Sequence, residues 1–70
     1  MNVMINGTTC QLRDGARVED AIAASGARVD ASRRGVAVAV DGEVVPRGEW
    51  DTTSLSEGMK VEVLQAVQGG

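Results

Sequence analysis

Histidine, phenylalanine and tyrosine are absent from this 70-residue chain, and cysteine, proline and tryptophan occur once each. Without histidine the chain lacks the commonest general base and the commonest metal ligand, and no Ser-His or Cys-His pair can be assembled. The single cysteine, Cys10, permits no internal disulfide and no Cys-rich metal site. Trp50 is the sole aromatic residue, so the stacking platform that single-stranded nucleic acid calls for is missing. The net charge of −3 likewise disfavours a phosphate backbone. It suits instead a protein partner with a basic docking face. No apolar run approaches the ~20 residues that span a bilayer, and no signal-peptide pattern opens the chain. These absences point to a cytoplasmic protein with no metal, no nucleic-acid partner and no membrane partner.

What is present is an ordinary globular balance, 43% hydrophobic and 24% charged. Seventy residues make a single domain over 1–70. A domain of this size buries only about 60% of its unfolded surface, so its core is small.

The apolar residues Met1, Val3 and Ile5 alternate, which predicts a strand, and Asn6-Gly7 is the dipeptide of a two-residue hairpin turn. Thr8 to Leu12 returns as the second strand, with Cys10 and Leu12 on one face. Val18 to Ser25 reads as a short helix, with Val18, Ala21, Ile22 and Ser25 at buried-stripe spacing. Glu19 and Asp20 oppose its dipole, and Gly26 stops it. No Ser, Thr, Asn or Asp precedes Val18 as a cap, so tertiary packing must hold that end. Val36 to Val40 predicts a strand with valines inward and alanines outward. Asp41-Gly42 turns it into Glu43-Val44-Val45, which Pro46 stops. Arg47 to Met59 is irregular, with Leu55 as a core plug and Glu57-Gly58 as a turn. Lys60 to Val67 is the last strand. Two hairpins, a helix covering one face and a last strand inserted parallel to the first give an α+β, ubiquitin-like β-grasp fold. Its sheet is mixed, with about five short strands.

The chain ends in Gly69-Gly70. Two residues without Cβ make a narrow, permissive tail, expected over about 66–70, which a partner enzyme could thread into a channel to reach the terminal carboxylate. The plainer alternative is a frayed end, common at chain termini.

Asn6-Gly7, the run Val38-Ala39-Val40-Asp41-Gly42-Glu43-Val44-Val45-Pro46-Arg47 with Trp50, and Glu57-Gly58 before Val61-Glu62-Val63-Leu64 together resemble the thiamine-biosynthesis sulfur carrier family ThiS. The ending Gln65-Ala66-Val67-Gln68-Gly69-Gly70 is similar to that family's C-terminus, and the resemblance covers essentially the whole chain. Asp41 stands where members often carry Asn; both suit the turn. The Gly-Gly ending is shared with molybdopterin synthase small subunits and with ubiquitin, so it discriminates less than the segment ending in Pro46. The resemblance implies that an E1-like enzyme (ThiF) uses MgATP to adenylate Gly70, with no cofactor bound to the carrier. Sulfur from a cysteine desulfurase or another donor system then displaces AMP to leave a thiocarboxylate, and thiazole synthase takes that sulfur. The carrier itself is not an enzyme and is expected to be monomeric when free. A carrier feeding another acceptor such as molybdopterin, a ubiquitin-like modifier and a plain interaction module are the alternatives.

Gly70 is thus the expected reactive position, with Gly69 and Gln68 as the threaded approach. Met4, Ala37, Ala39, Leu64 and Ala66 fall on the outer side of neighbouring strands and form the expected docking face. Cys10 could suggest a persulfide carrier, but its place beside Leu12 favours a small buried hydrophobe. Arg28, Arg33 and Arg34 suggest a partner or phosphate contact, against the plainer reading of a solvated loop. Trp50 is expected to cover a thin core, with a partner-anchor role as the alternative. Asp14, Glu19 and Asp20 read as turn and helix-dipole chemistry, not as a metal site.

Overall fold

In the computed structural model, which describes residues 1–66, the alternation at the start of the chain becomes strand β1, Asn2–Ile5. Val3 and Ile5 point inward and are buried. Asn6 and Gly7 take φ of 50° and 82°, the left-handed pair that a type I′ turn requires. The chain returns as β2, Thr8–Gln11, antiparallel to β1. Cys10 and Leu12 are half-buried against the core, as their shared face predicts.

Helix α1 spans Val18–Ser25 and ends at Gly26, whose φ of 82° supplies the left-handed cap. Eight residues are too few to be stable alone, so packing of Val18, Ala21 and Ile22 must hold them. The missing side-chain cap is replaced by backbone from another part of the chain. The N–H groups of Val18 and Glu19 donate to the carbonyls of Thr53 and Trp50, both at 3.0 Å. Asp20 reaches back to accept the Arg17 N–H at 2.8 Å. That bond first, and then Arg13 at 3.2 Å, hold the Asp20 carboxyl below its ordinary value.

After the connection come β3, Val36–Val40, and the short β4, Glu43–Val44, joined through Asp41 and Gly42 with φ of 49° and 85°. A single 3₁₀ turn, Arg47–Glu49, follows Pro46. The last strand, β5, runs Lys60–Gln65. It lies between β1, to which it is parallel, and β3, to which it is antiparallel. The sheet order is β2-β1-β5-β3-β4. Helix α1 packs on one face, over Val3, Ile5, Val36, Val38, Val61 and Val63. This is the β-grasp arrangement.

Trp50 departs from its expectation. It is 2% exposed and ranks with the valines among the most buried side chains, so it is part of the core and not a cover over it. Its Nε1–H donates to the Val45 carbonyl at 3.1 Å. That burial leaves it almost no surface for the alternative role of partner anchor.

Candidate functional site

The site is built from the outer face of the sheet and the root of the C-terminal segment. Alternation along β5 decides both. Val61 and Val63 are buried, while Leu64 faces out and is 66% exposed. Leu64 lies directly opposite Ala37 on β3, and Ala39 opposite Glu62. Across the next pair, Val44 on β4 sits opposite Ala39 and is 77% exposed. Ala37, Ala39, Val44 and Leu64 therefore form one small apolar surface, which the exposed Ala66 extends past the strand end.

Met4 lies on the same face but not in the same patch. It is half-buried on β1, in register with Lys60. The charged side chains of Lys60 and Glu62 stand between it and the alanines of β3, because β5 separates β1 from β3. The structure thus joins Ala37, Ala39, Leu64 and Ala66 and sets Met4 aside. Val44 was missed by the sequence reading. Its signal was available: a two-residue turn at Asp41-Gly42 sets Val44 opposite Ala39, and directly opposed residues share a face.

The root of the tail is tied down. The Ala66 N–H donates to the Gly35 carbonyl at 2.6 Å. The side-chain amide of Gln65 bridges Arg28, with Nε2 donating to its carbonyl at 2.8 Å and Oε1 accepting its N–H at 3.4 Å. Ala66, expected as the first residue of the tail, is still bonded to the domain. Gln68, Gly69 and Gly70 lie outside the described residues.

The three loop arginines separate. Arg33 donates to the Arg47 carbonyl at 3.0 Å and stacks 5.6 Å from the centre of the Trp50 ring. Arg28 and Arg34 are exposed, and their side chains make no ion pair or hydrogen bond among the described residues. Asp30 is occupied with Ser32, accepting from its hydroxyl and its N–H, and those bonds hold the Asp30 carboxyl below its ordinary value. Cys10 is half-buried, its thiol 3.6 Å from the Thr8 carbonyl. Among the described residues no three Cys, Asp or Glu side chains gather as a metal site. No helix among them is long and apolar enough to cross a membrane.

The arrangement offers an apolar patch beside the tethered Ala66. Comparison with known proteins bears on what that combination serves. The ThiS family matches residues 3–70. The crystal structure of the thiamine biosynthesis protein ThiS from Geobacter metallireducens superimposes with a TM-score of 0.73 at 29% identity, covering both chains fully. The solution structure of a thiamine biosynthesis protein from Geobacter metallireducens gives 0.76 at 30% identity, covering all of this chain and 88% of the other. No curated protein matches by sequence.

Proposed function

The chain belongs to the ThiS family, and from that premise we propose that it is a cytoplasmic sulfur carrier whose Gly70 carboxylate is activated and loaded for thiazole formation in thiamine biosynthesis. A carboxylate is a poor acyl donor because oxide would have to leave. Attack of a Gly70 carboxylate oxygen on the α-phosphorus of MgATP, within an E1-like adenylating enzyme, expels pyrophosphate and gives an acyl adenylate. A persulfide sulfur from a desulfurase or another donor system then attacks the acyl carbon and displaces AMP, and a thiol cleaves the resulting acyl disulfide, itself ending in a disulfide and leaving the thiocarboxylate that thiazole synthase consumes. The carrier binds no cofactor of its own and performs none of the catalysis. Gly69 and Gln68 thread the channel, while Ala37, Ala39, Val44, Leu64 and Ala66, with Met4 set apart on the same face, give the partners a surface to grip.

The observation that carries this reading is the family match, which extends over nearly the whole chain and includes Gly69-Gly70. Accurate-mass analysis after incubation with the adenylating enzyme, MgATP and a sulfur source tests it. The expected product has one oxygen replaced by sulfur, localised to Gly70 by C-terminal fragmentation. Localisation is essential because oxidation of Met1, Met4 or Met59 adds nearly the same mass. Deleting Gly70 should abolish loading and leave the circular dichroism spectrum unchanged. No ATP-dependent change, with an enzyme active on its own carrier, would turn the assignment towards a plain binding module.

A further inference from the structure

The connection between α1 and β3 concentrates positive charge at one end of an acidic molecule. Residues 27–35 contain Arg28, Arg33 and Arg34 against a single acid, Asp30. This connection meets the root of the tail at two points. Gln65 clamps the backbone of Arg28, and Gly35, the residue after Arg34, accepts the Ala66 N–H. Arg28 and Arg34 are therefore held beside the point where the chain leaves the sheet. Arg33 is committed to Trp50 and the Arg47 carbonyl, and Asp30 to Ser32. That leaves Arg28 and Arg34 as exposed cations with no intramolecular use among the described residues. At the opposite end of the sheet stand Asp41, in the turn after β3, and Glu43, at the start of β4, with the Lys60 N–H donating to Asp41 Oδ1. The overall net charge of −3 thus conceals a basic tail end.

We propose that Arg28 and Arg34 form a cationic collar that docks against an acidic rim at the mouth of the adenylating enzyme's tail channel. The inference rests on the carrier function proposed above and names a surface of the partner that function requires. Chain length selects the channel mouth over the nucleotide. Four residues, 67–70, span at most ~14 Å when extended, and that is longer than an arginine side chain. When Gly70 reaches the α-phosphate, the collar is still outside with the domain. Arginine also suits a carboxylate rim, because its planar fork binds carboxylates through paired hydrogen bonds. Charges placed this way act on the encounter and its salt dependence, not on the chemical step.

The test is steady-state adenylation of the full chain by the E1-like enzyme of the same cell, followed as ATP–pyrophosphate exchange against carrier concentration. Arg28→Gln and Arg34→Gln should each raise the KM for the carrier, and together by on the order of tenfold. The kcat should stay unchanged, and the fall of kcat/KM with added salt should flatten. Both substitutions leave the backbone clamp to Gln65 in place. Arg13→Gln is the control: it removes the same charge beyond β2, at the end of the sheet where Asn2 pairs with Gln11 and meets Gly58. It should match the wild type, and Arg28→Lys with Arg34→Lys should restore most of the KM. An unchanged KM and salt slope in the double variant, with an active wild type, would overturn the collar and leave the carrier function standing. An equal effect of Arg13→Gln would reduce the result to net charge and overturn it too. A loss confined to kcat would move the arginines to the nucleotide, against the proposal. A wild type that is never adenylated would overturn both readings together.

Discussion

The side-chain amide of Asn6 pairs with the backbone of Val63 in both directions. The Val63 N–H donates to Asn6 Oδ1 at 2.8 Å, and Asn6 Nδ2 donates to the Val63 carbonyl at 3.1 Å. Strand β1 stops after Ile5, while β5 continues past it. The Asn6 N–H still reaches the Val61 carbonyl at 2.9 Å, and its amide then stands in for the strand residue that would have faced Val63. One residue both turns the hairpin, at φ 50°, and lengthens the central parallel ladder.

Asn6→Gly should keep the turn and lose the ladder. Glycine tolerates the left-handed φ, so the cost reports the two lost hydrogen bonds, about 1–2 kcal/mol. Asn6→Asp should fall between that variant and the wild type, since it keeps the acceptor and loses the donor. Denaturant unfolding of the three proteins gives the comparison. Equal stability of Asn6→Gly and wild type would remove the ladder role.

Trp50 should tolerate no truncation. Trp50→Ala leaves a large cavity at a cost of about 3–5 kcal/mol, a heavy loss for a domain this small. Trp50→Phe retains much of the packing, yet it strands the Val45 carbonyl and weakens the Arg33 contact. A cost of about 1–3 kcal/mol is expected. Thermal melts by circular dichroism measure both, and a Trp50→Ala protein as stable as wild type would contradict the core assignment.

Leu64→Glu should weaken docking and spare the fold. Leu64 is 66% exposed opposite Ala37, so its replacement should change stability by no more than about 0.5 kcal/mol. Val44→Glu should behave alike, since Val44 is 77% exposed on the same patch. Binding to the adenylating enzyme, measured by calorimetry, should weaken for both while the melting temperatures hold. Unaltered affinity in both variants would remove the docking role of this face.

Asp20 should make stability depend on pH in the acid range. Its accepted Arg17 N–H, and secondarily Arg13, lower its folded value below the ordinary 3.8. A lowered carboxyl stabilises the fold fully above its unfolded value, and the contribution is lost as pH falls through the folded one. Asp20→Asn should therefore cost about 0.5–1 kcal/mol at neutral pH, by weakening the charge at the helix N-terminus. The gap from wild type should close as pH falls below 3.8. A gap that persists there would assign the cost to packing.

The sequence by itself determined the local structure and much of the fold. Asn6-Gly7, Asp41-Gly42 and Gly26 demand left-handed backbone, and only a few turns and caps supply it. The period-two pattern of Val36–Val40 and Val61–Val63 fixed which face of each strand is buried, and with it the outward position of Leu64. Only the tertiary structure decided what those faces meet. The helix end without a cap is satisfied by Thr53 and Trp50, and Arg33 is drawn onto Trp50. Lys60 and Glu62 are set between Met4 and the alanines, and Gln65 is hooked to Arg28. Each of these joins residues far apart in the chain, often through backbone groups that every residue carries. Periodicity and propensity describe neighbours along the chain, so they hold no record of which distant carbonyl a given N–H will find.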